Sequence, residues 1–410
     1  MLSKGTTWII TICITLGTVL HLTHVVGQTQ TSEKSTRKKF GSSLSKPQAD
    51  SESKAGVSAG TGNNEPSLDD GDVVRISTRL VVFDVRVVDP KGAVVSGLTK
   101  NDFILTQEKN SRPITTFALG DDTARRRSII LVIDRSTSQL PYIKTSANAA
   151  KLLVERLGPL DQMAIVTDDI KLVQDFTADR SKLNSALDSL RKKVSTGARQ
   201  YSALLATIRE LVKQDERTII IFQTDGDQLR LLKSEPNPIP TTLSMPMADF
   251  SLGELYTEAE KSRATIYSVV SGFRAIGLSP AEQLAQLKKD SAAKLNSNHY
   301  GPITYWKWIL SLDASDPSVP SLLQGPLRLQ LAMAGVAKLT GGQTEFLETP
   351  GDVADIYRRI LDDANGRYLL GFQPPDVGNG NQRRSVRIEV RGHPEYSVLG
   401  RKSYYSANSK

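Results

Sequence analysis

The sequence predicts an α/β protein with a doubly wound, mostly parallel sheet, a small N-terminal β unit and a C-terminal β ribbon. The first observation is a set of short apolar runs rich in β-branched residues, such as 128–133 and 218–223. Runs of this kind form strands that are buried on both faces. The second observation is that amphipathic helical segments, such as Leu140–Leu157, separate these runs. Strands that alternate with helices build parallel sheets.

The N-terminal segment 1–27 has the layout of an export signal. Lys4 supplies the basic start, Trp8–Leu22 is the apolar core, and small residues precede Gln28. An uncleaved membrane anchor stays open as an alternative, because the apolar run nearly reaches spanning length. We therefore expect an exported protein that is periplasmic, secreted or attached to the cell envelope. Any membrane contact would come only through an uncleaved N-terminal helix.

The next two segments differ sharply in composition. Residues 28–71 are rich in Ser, Thr, Lys and Gly and nearly lack large apolar residues, so we predict a disordered linker. Residues 72–122 show alternating strands and Gly-containing turns, which predicts a small β-sandwich-like unit. The only cysteine, Cys13, lies in the export signal, so the rest of the chain has no disulfide and no zinc-thiolate site.

The α/β domain is predicted to take residues 123–376, with Tyr368–Phe372 as its closing strand. Residues 377–410 are predicted to form the C-terminal ribbon and tail. In this ribbon Ser385–Arg391 pairs with Tyr396–Tyr405 across a His-Pro turn.

Oxygen-bearing side chains follow two of the predicted buried strands. Asp134, Ser136 and Ser138 come directly after the strand 128–133, in the spacing D-x-S-x-S, and Asp225 follows the strand 218–223. Ligands bind beyond the carboxyl ends of such strands, and Mg²⁺ takes oxygen ligands with only one or two carboxylates. The alternative is that Asp134 and the two serines only cap the helix that follows.

Two further acids are predicted to have a structural role. Asp168 and Asp169 lie between the short strands Met163–Thr167 and Lys171–Phe176. A metal site is conceivable for this pair, but a turn between paired strands is the use that the pattern favours.

These motifs carry a resemblance to a known family. S-I-I-L-V-I-D-R-S-T-S at 128–138 resembles the first motif of the von Willebrand factor A (vWA) family, whose metal-ion-dependent adhesion site has D-x-S-x-S after the first strand. T-I-I-I-F-Q-T-D-G-D at 218–227 resembles the stretch that supplies the family's second acid. The wider layout, from Val73 to Ala407, is similar to vWA-related proteins of acidobacteria. The resemblance covers most of the chain.

The resemblance implies a divalent cation, Mg²⁺ first and Mn²⁺ or Ca²⁺ as alternatives. Asp134 would be the primary anionic ligand, Ser136 and Ser138 would give neutral oxygens, and Asp225 would act through water. The family's remaining ligand is a threonine, and aligning the Tyr-x-Ala-Leu segment puts Ala198 at its position. A methyl group cannot coordinate a metal, so either Thr196 replaces that ligand or the site lacks it.

Two insertions leave the predicted sheet at strand carboxyl ends, at 228–250 and 272–325, so both should rise around the metal site. The second contains Tyr305, Trp306 and Trp308, and aromatic side chains commonly anchor interfaces. These three residues are our predicted partner-binding residues. The alternative is that they fix the insertion to its own domain.

The function favoured by the sequence is protein–protein interaction or adhesion, in which an acidic residue of a partner protein completes the metal coordination. A metal-free envelope scaffold with a degenerate site is the alternative. We predict no enzyme, because His299 and His393, the only histidines beyond the export signal, accompany no nucleophile motif. We predict no nucleic-acid binding, because the residues behind the net charge of +8 are scattered.

Overall fold

The structure is a computed structural model. It describes residues 39–44, 80–122, 124–191, 194–195, 197, 199–213, 216–233, 247–296, 303–375 and 382–406. The predicted export signal and most of the predicted linker lie outside these ranges. None of the helices in the described ranges is long and apolar enough to span a bilayer.

The described residues form the following elements. The helices are α1 (Leu140–Glu155), α2 (Arg180–Leu190), α3 (Gln200–Glu210), α4 (Leu252–Lys261), α5 (Pro280–Asn296), α6 (Ile303–Ser311), α7 (Val319–Thr340) and α8 (Val353–Asn365). The strands are β1 (Val81–Val88), β2 (Phe103–Gln107), β3 (Asn110–Arg112), β4 (Thr116–Leu119), β5 (Arg127–Ile133), β6 (Gln162–Thr167), β7 (Lys171–Thr177), β8 (Arg217–Thr224), β9 (Thr265–Ser271), β10 (Thr344–Leu347), β11 (Tyr368–Phe372), β12 (Arg383–Val390), β13 (Ser397–Gly400) and β14 (Ser403–Tyr405).

A six-stranded sheet in the order β10-β9-β8-β5-β6-β7 forms the centre of the molecule. Its neighbouring strands are parallel except for β6 and β7, which pair as the antiparallel hairpin predicted around Asp168 and Asp169. The two innermost strands, β5 and β8, are buried along nearly their whole length, which explains why their sequences are continuously apolar. The predicted α/β fold class is confirmed.

Helices cover both faces of this sheet. Helices α1, α2 and α8 build one core with residues such as Leu153, Leu187 and Ile360. Helices α3, α4 and α7 build the other core with residues such as Leu204 and Met333. The sheet is therefore doubly wound, and the carboxyl ends of β5 and β8 open on the same edge.

The smaller β elements form one sandwich of two antiparallel sheets. One sheet has the order β13-β1-β11-β4 and the other has the order β14-β12-β2-β3. Phe83 and Phe372 lie in the core between the sheets, with ring centroids 6.2 Å apart. N-terminal and C-terminal strands thus share a single hydrophobic core.

The sandwich corrects two sequence predictions. The strand Tyr368–Phe372 does not close the central sheet, because it pairs with β1 and β4. The C-terminal ribbon is only partly right: β12 pairs with β14, whereas β13 pairs with β1 in the opposite sheet. The physical reason for the first correction is that Tyr368, Leu370 and Phe372 pack in the core of the sandwich.

Part of the predicted disordered linker is folded. Ser42–Leu44 is a short 3₁₀ helix, and Phe40 and Leu44 pack against the core that contains α3. Glu210 of α3 accepts hydrogen bonds from the backbone N–H groups of Gly41 and Ser43, both at 2.9 Å. The two apolar side chains and this carboxylate explain why the linker prediction is wrong for these residues.

Candidate functional site

Asp134 lies at the end of β5, at the carboxyl edge of the central sheet. Its backbone N–H donates to Gln223 O of the neighbouring strand β8 at 3.0 Å, so the two strand ends are held in register. The side chain is buried, with Oδ1 accepting from the Ser136 N–H at 2.7 Å and Oδ2 accepting from Thr224 Oγ1 at 2.7 Å. The carboxylate is thereby fixed in one orientation toward the loop that follows.

Ser136 and Ser138 follow Asp134 in the same loop. Their hydroxyl oxygens lie 3.1 Å apart, with Ser136 buried and Ser138 exposed. Ser136 precedes a 3₁₀ turn, Thr137–Gln139, but its side chain makes no capping hydrogen bond, and neither does that of Gln139 at the start of α1. The structure therefore does not support the alternative that these side chains only cap the following helix.

Asp225 follows β8 and faces the same loop. Its Oδ2 accepts from Gln139 Nε2 at 3.0 Å, and its Oδ1 accepts from the Asp227 N–H at 3.3 Å. Since β5 and β8 are adjacent parallel strands, Asp225 and Asp134 meet at one edge of the sheet. The structure thus brings together four of the predicted site residues: Asp134, Ser136, Ser138 and Asp225.

Gln200, at the start of α3, joins this group, although no sequence motif marks it as a site residue. Its Nε2 donates to Asp134 Oδ2 at 2.9 Å and to Asp227 Oδ1 at 2.6 Å, and its Oε1 accepts from the Gln228 N–H at 3.1 Å. The side chain is only 1% exposed. A buried amide therefore bridges two carboxylates of the site.

Asp168 is a second residue whose role in the site was missed. The hairpin turn predicted for it is present, but its buried carboxylate also accepts from the Arg135 N–H at 2.9 Å and from the Ser195 hydroxyl. The Ser195 N–H in turn donates to Arg135 O at 2.8 Å. Asp168 thus ties the D-x-S-x-S loop to the loop before α3.

The predicted ligand Thr196 and the departure at Ala198 lie outside the described residues. Coordination of the metal ion by Thr196 therefore stays a prediction.

The electrostatics of the site are those of several carboxylates in a buried setting. Burial raises the pKa of Asp134 well above its ordinary range, and the charges of Asp225, Asp168 and Asp227 raise it further. Burial together with Asp225 raises the pKa of Asp227 to about 7. Like-charged carboxylates that are desolvated together destabilise one another.

A divalent cation fits this arrangement of side chains. It would offset the mutual repulsion of the carboxylates, and the Asp and Ser oxygens are ligands that hard cations prefer. Within the described residues, no three His, Cys, Asp or Glu side chains are grouped as a metal-holding cluster. The donor set here is instead mixed, with hydroxyl oxygens beside carboxylates.

The insertion 272–325 borders the site. It contributes α5, α6 and the first part of α7, and these helices share a small core that includes Leu284, Ile309 and Leu323. Trp306 is only 8% exposed, whereas Tyr305 and Trp308 are 43% and 41% exposed.

The insertion's aromatic residues therefore divide into two groups. Trp306 is buried, which is the exposure expected of a residue that packs within its own domain. Tyr305 and Trp308 form an exposed aromatic pair with ring centroids 5.7 Å apart, so the partner-binding prediction now concerns these two residues.

Comparison with known proteins agrees with this fold. Residues 129–228, which include Asp134 and Asp225, match the family model described as von Willebrand factor type A domain. No curated protein matches the chain.

Several solved structures are similar to the chain, though only distantly. The vWF domain of the type V pili tip protein Mfa5 from Porphyromonas gingivalis is 12% identical, with 62% of this chain and 98% of that one covered and a TM-score of 0.35. Pilus adhesin SpaC from Lactobacillus rhamnosus GG, in an open conformation, is 8% identical, with 75% and 48% covered and a TM-score of 0.38. Manganese-loaded TRAP protein from Plasmodium vivax is 11% identical, with 74% and 99% covered and a TM-score of 0.28.

Likenesses at these identities and scores carry no argument about function. Two observations support the fold: the matched segment 129–228, and the sheet order, in which β5 and β8 are the adjacent central strands. Both place D-x-S-x-S and the second acid at one edge of a doubly wound sheet. The chain therefore has a von Willebrand factor A-like α/β fold.

Proposed function

We propose that this chain is an exported protein-interaction or adhesion module that works through a divalent cation, Mg²⁺ first and Mn²⁺ or Ca²⁺ as alternatives. Asp134, Ser136 and Ser138 would hold the ion, with Asp225 acting through water. The bound cation would supply an electrophilic centre that an acidic side chain of a partner protein can coordinate. Envelope or extracellular location is part of the proposal and rests on the N-terminal sequence.

One observation carries this proposal. Asp134 and Asp225 follow adjacent parallel strands, and the Ser136 and Ser138 hydroxyls lie 3.1 Å apart in the loop between β5 and α1. Carboxylate and hydroxyl oxygens at one open sheet edge suit a hard cation that keeps part of its coordination for water or a partner.

We also propose that the chain has no catalytic role. Within the described residues, His393 stacks on Tyr396 and contacts Glu395, and neither of these neighbours belongs to the proposed site. The chemistry that we assign to the site is therefore coordination without bond cleavage.

The metal-free envelope scaffold is the second candidate, and Gln200 favours it. Its amide already donates to Asp134 and Asp227, which gives these carboxylates a partner without a cation. A scaffold would use the sandwich and the insertion for its contacts instead of the sheet edge.

Calorimetric titration of Mg²⁺ and Mn²⁺ into metal-stripped protein separates the two candidates. We expect binding by the chain from Gln28 onward, and no binding by Asp134→Ala, which lacks the primary ligand. Since Asp134 is buried, its variant needs a companion that keeps the fold. Ser138→Ala, at an exposed position, should weaken Mg²⁺ binding at least about tenfold.

Thr137→Ala is the matched control for that experiment. Thr137 is exposed in the same turn and belongs to no part of the proposed ligand set. It should bind Mg²⁺ as the unmodified chain does. No heat of binding from the unmodified chain, with its fold intact by circular dichroism, would reject the metal site and leave the scaffold.

A further inference from the structure

A large cleft adjoins the proposed metal site. Its volume is about 740 Å³, and its lining includes Ser138 and Asp225 from the site together with Lys289 of α5 and Tyr305 of α6. Sites that enclose ligands commonly have volumes of roughly 300–1,000 Å³. The cleft therefore has room for more than the single carboxylate that a metal ion would coordinate.

Much of the cleft wall is apolar. Phe273 and Leu287 line it from one part of the insertion, and Pro326 and Leu329 line it from α7. Tyr305 adds an aromatic ring that is continuous with exposed Trp308. A bulky apolar side chain would leave water on entering this space, which favours its binding.

Two cations in the cleft have no hydrogen-bond or ion-pair partner among the described residues. Arg230 and Lys289 line it, and neither forms a hydrogen bond or ion pair with any residue in the described part of the chain. Lys294, by contrast, donates to Asp290 at 2.6 Å. The charge of Arg230 acts electrostatically on both Asp227 and Tyr305.

Two buried polar atoms in the cleft lining also have no partner among the described residues. They are Oγ of Ser271 and Oε1 of Gln139, whose side chains belong to residues 6% and 2% exposed. Buried polar groups in folded proteins are normally hydrogen-bonded. Both atoms can therefore form hydrogen bonds with a polar ligand that enters the cleft beside the proposed metal ligands.

We propose that this cleft binds a segment of a partner protein in which acidic residues flank a bulky apolar residue. One carboxylate of the segment would coordinate the metal ion. The apolar side chain would pack against Phe273, Leu287 and Leu329. The second carboxylate would form ion pairs with Arg230 and Lys289. The inference rests on the proposed function, because it assigns the first carboxylate to the metal. It extends that function by naming the partner's sequence chemistry.

Charge complementarity favours an acidic segment over a purely apolar or a basic one. An acid of the partner would be the missing partner of Arg230 and Lys289, and arginine pairs with carboxylates through two parallel hydrogen bonds. A purely apolar segment would leave both cations and the metal end unused. The lining also includes the acids Asp290 and Glu348, and Asp290 already accepts a hydrogen bond from Lys294 at 2.6 Å. A basic segment would still meet the metal ion together with the charges of Arg230 and Lys289.

The test is selection of random dodecapeptides displayed on phage against the chain from Gln28 onward, with Mg²⁺ present. We expect enriched peptides to carry an Asp or Glu within a few positions of Leu, Ile, Phe or Trp and a second acid. The tightest peptide is then synthesised and titrated against charge variants. Lys289→Glu should weaken it about tenfold or more, because it places like charges together.

Lys288→Glu is the matched control, since Lys288 neighbours Lys289 on α5 but does not line the cleft. It should leave the peptide's affinity unchanged. Equal losses in the two variants, enrichment without acidic residues, or a selection that yields no binding peptide would each overturn the inference. The last result is also what a cleft for a small molecule, or one filled by the chain itself, would give.

Mg²⁺ titration of the same samples separates this inference from the proposed function. If Mg²⁺ binds and the selected peptides ignore Lys289→Glu, the cleft inference fails and the metal site stands. If peptides depend on Lys289 while Mg²⁺ does not bind, the metal proposal fails and the cleft still accounts for the affinity.

Discussion

At the scale of single residues, the site brings carboxylates together with little to neutralise them. Asp227 is the clearest case: burial and the charge of Asp225 raise its pKa to about 7, against an ordinary value of 3.8. Between these two pH values the folded state holds a proton that the unfolded chain has released. The stability of the metal-free protein should therefore fall as the pH rises from about 4 to 7.

Asp227→Asn isolates this contribution. The asparagine keeps an oxygen for the Gln200 amide but carries no charge, so the variant should gain stability over the parent as the pH rises. Below about pH 4 both side chains are neutral and the two proteins should unfold alike. At pH 8 we expect the variant to be more stable by ~1 kcal/mol or more, since each pKa unit corresponds to about 1.4 kcal/mol.

Urea unfolding at pH 4, 6 and 8 in EDTA measures this difference. EDTA is needed because a bound cation would lower the pKa of Asp227. A stability difference that does not change with pH would contradict the prediction.

Residue-scale features differ in how far the sequence could predict them. Asp134 and Asp225 could be placed together, because carboxyl ends of neighbouring parallel strands meet at one edge. Gln200 could not, because its amide reaches Asp134 from α3, 66 positions along the chain, and glutamine has no local pattern that marks such a bridge. Trp306 could not be separated from Trp308 before the orientation of α6 was known.

At the scale of elements, close approach of helices depends on particular glycines. Gly335 lies within α7 where Tyr256 of α4 crosses it, and a Cβ at that position would collide with the Tyr256 ring and hydroxyl. Tyr256 Oη also donates to Ala332 O at 2.9 Å, which holds the ring in place. Gly335→Ala should therefore destabilise the protein by about 1–3 kcal/mol.

Gly253→Ala is the matched substitution in α4. Gly253 is exposed, and its nearest neighbour to a new Cβ would be Ser251 Oγ at 3.8 Å, an ordinary contact. Because alanine loses less backbone freedom than glycine in a helix, this variant should gain about 0.4–1 kcal/mol. Thermal unfolding of both variants checks the pair, and a shift in the same direction for both would contradict it.

For the helices and strands, the sequence could predict the type of central sheet but not every strand pairing. The alternation of strands with helices was enough to predict that the central sheet is doubly wound and mostly parallel. The partner of Tyr368–Phe372 could not be predicted, because Y-L-L-G-F is apolar on both faces and would suit either sheet. The C-terminal strands β13 and β14 belong to opposite sheets, and their short alternating sequences do not encode that choice.

At the scale of the whole molecule, Asp363 joins the sandwich to the central sheet. Its Oδ1 accepts from Arg86 of β1 at 2.7 Å, and its Oδ2 accepts from Tyr267 of β9 at 2.5 Å and from Arg367 at 2.8 Å. The side chain of Arg367 is fully buried. A second connection is the ion pair between Arg217 Nε and Asp84 Oδ2, at 2.9 Å.

These buried connections predict that the sandwich and the α/β domain unfold together. Tryptophan fluorescence, which reports Trp306 and Trp308 in the insertion, should follow the same denaturant curve as circular dichroism, which reports every strand and helix. Two separated curves would mean that the buried connections do not couple the domains.

Asp363→Asn tests the connection directly. The variant removes the negative charge beside Arg367, and an unpaired buried guanidinium costs about 3–5 kcal/mol, so its unfolding midpoint should fall strongly. Asp362→Asn is the matched control, because Asp362 is exposed and, among the described residues, forms an ion pair only with exposed Arg156, an interaction worth about 0–1 kcal/mol. If both variants lose the same stability, Asp363 does not hold the two parts together. The large loss at Asp363 alone would show that strands far apart in the sequence are stabilised by one buried carboxylate.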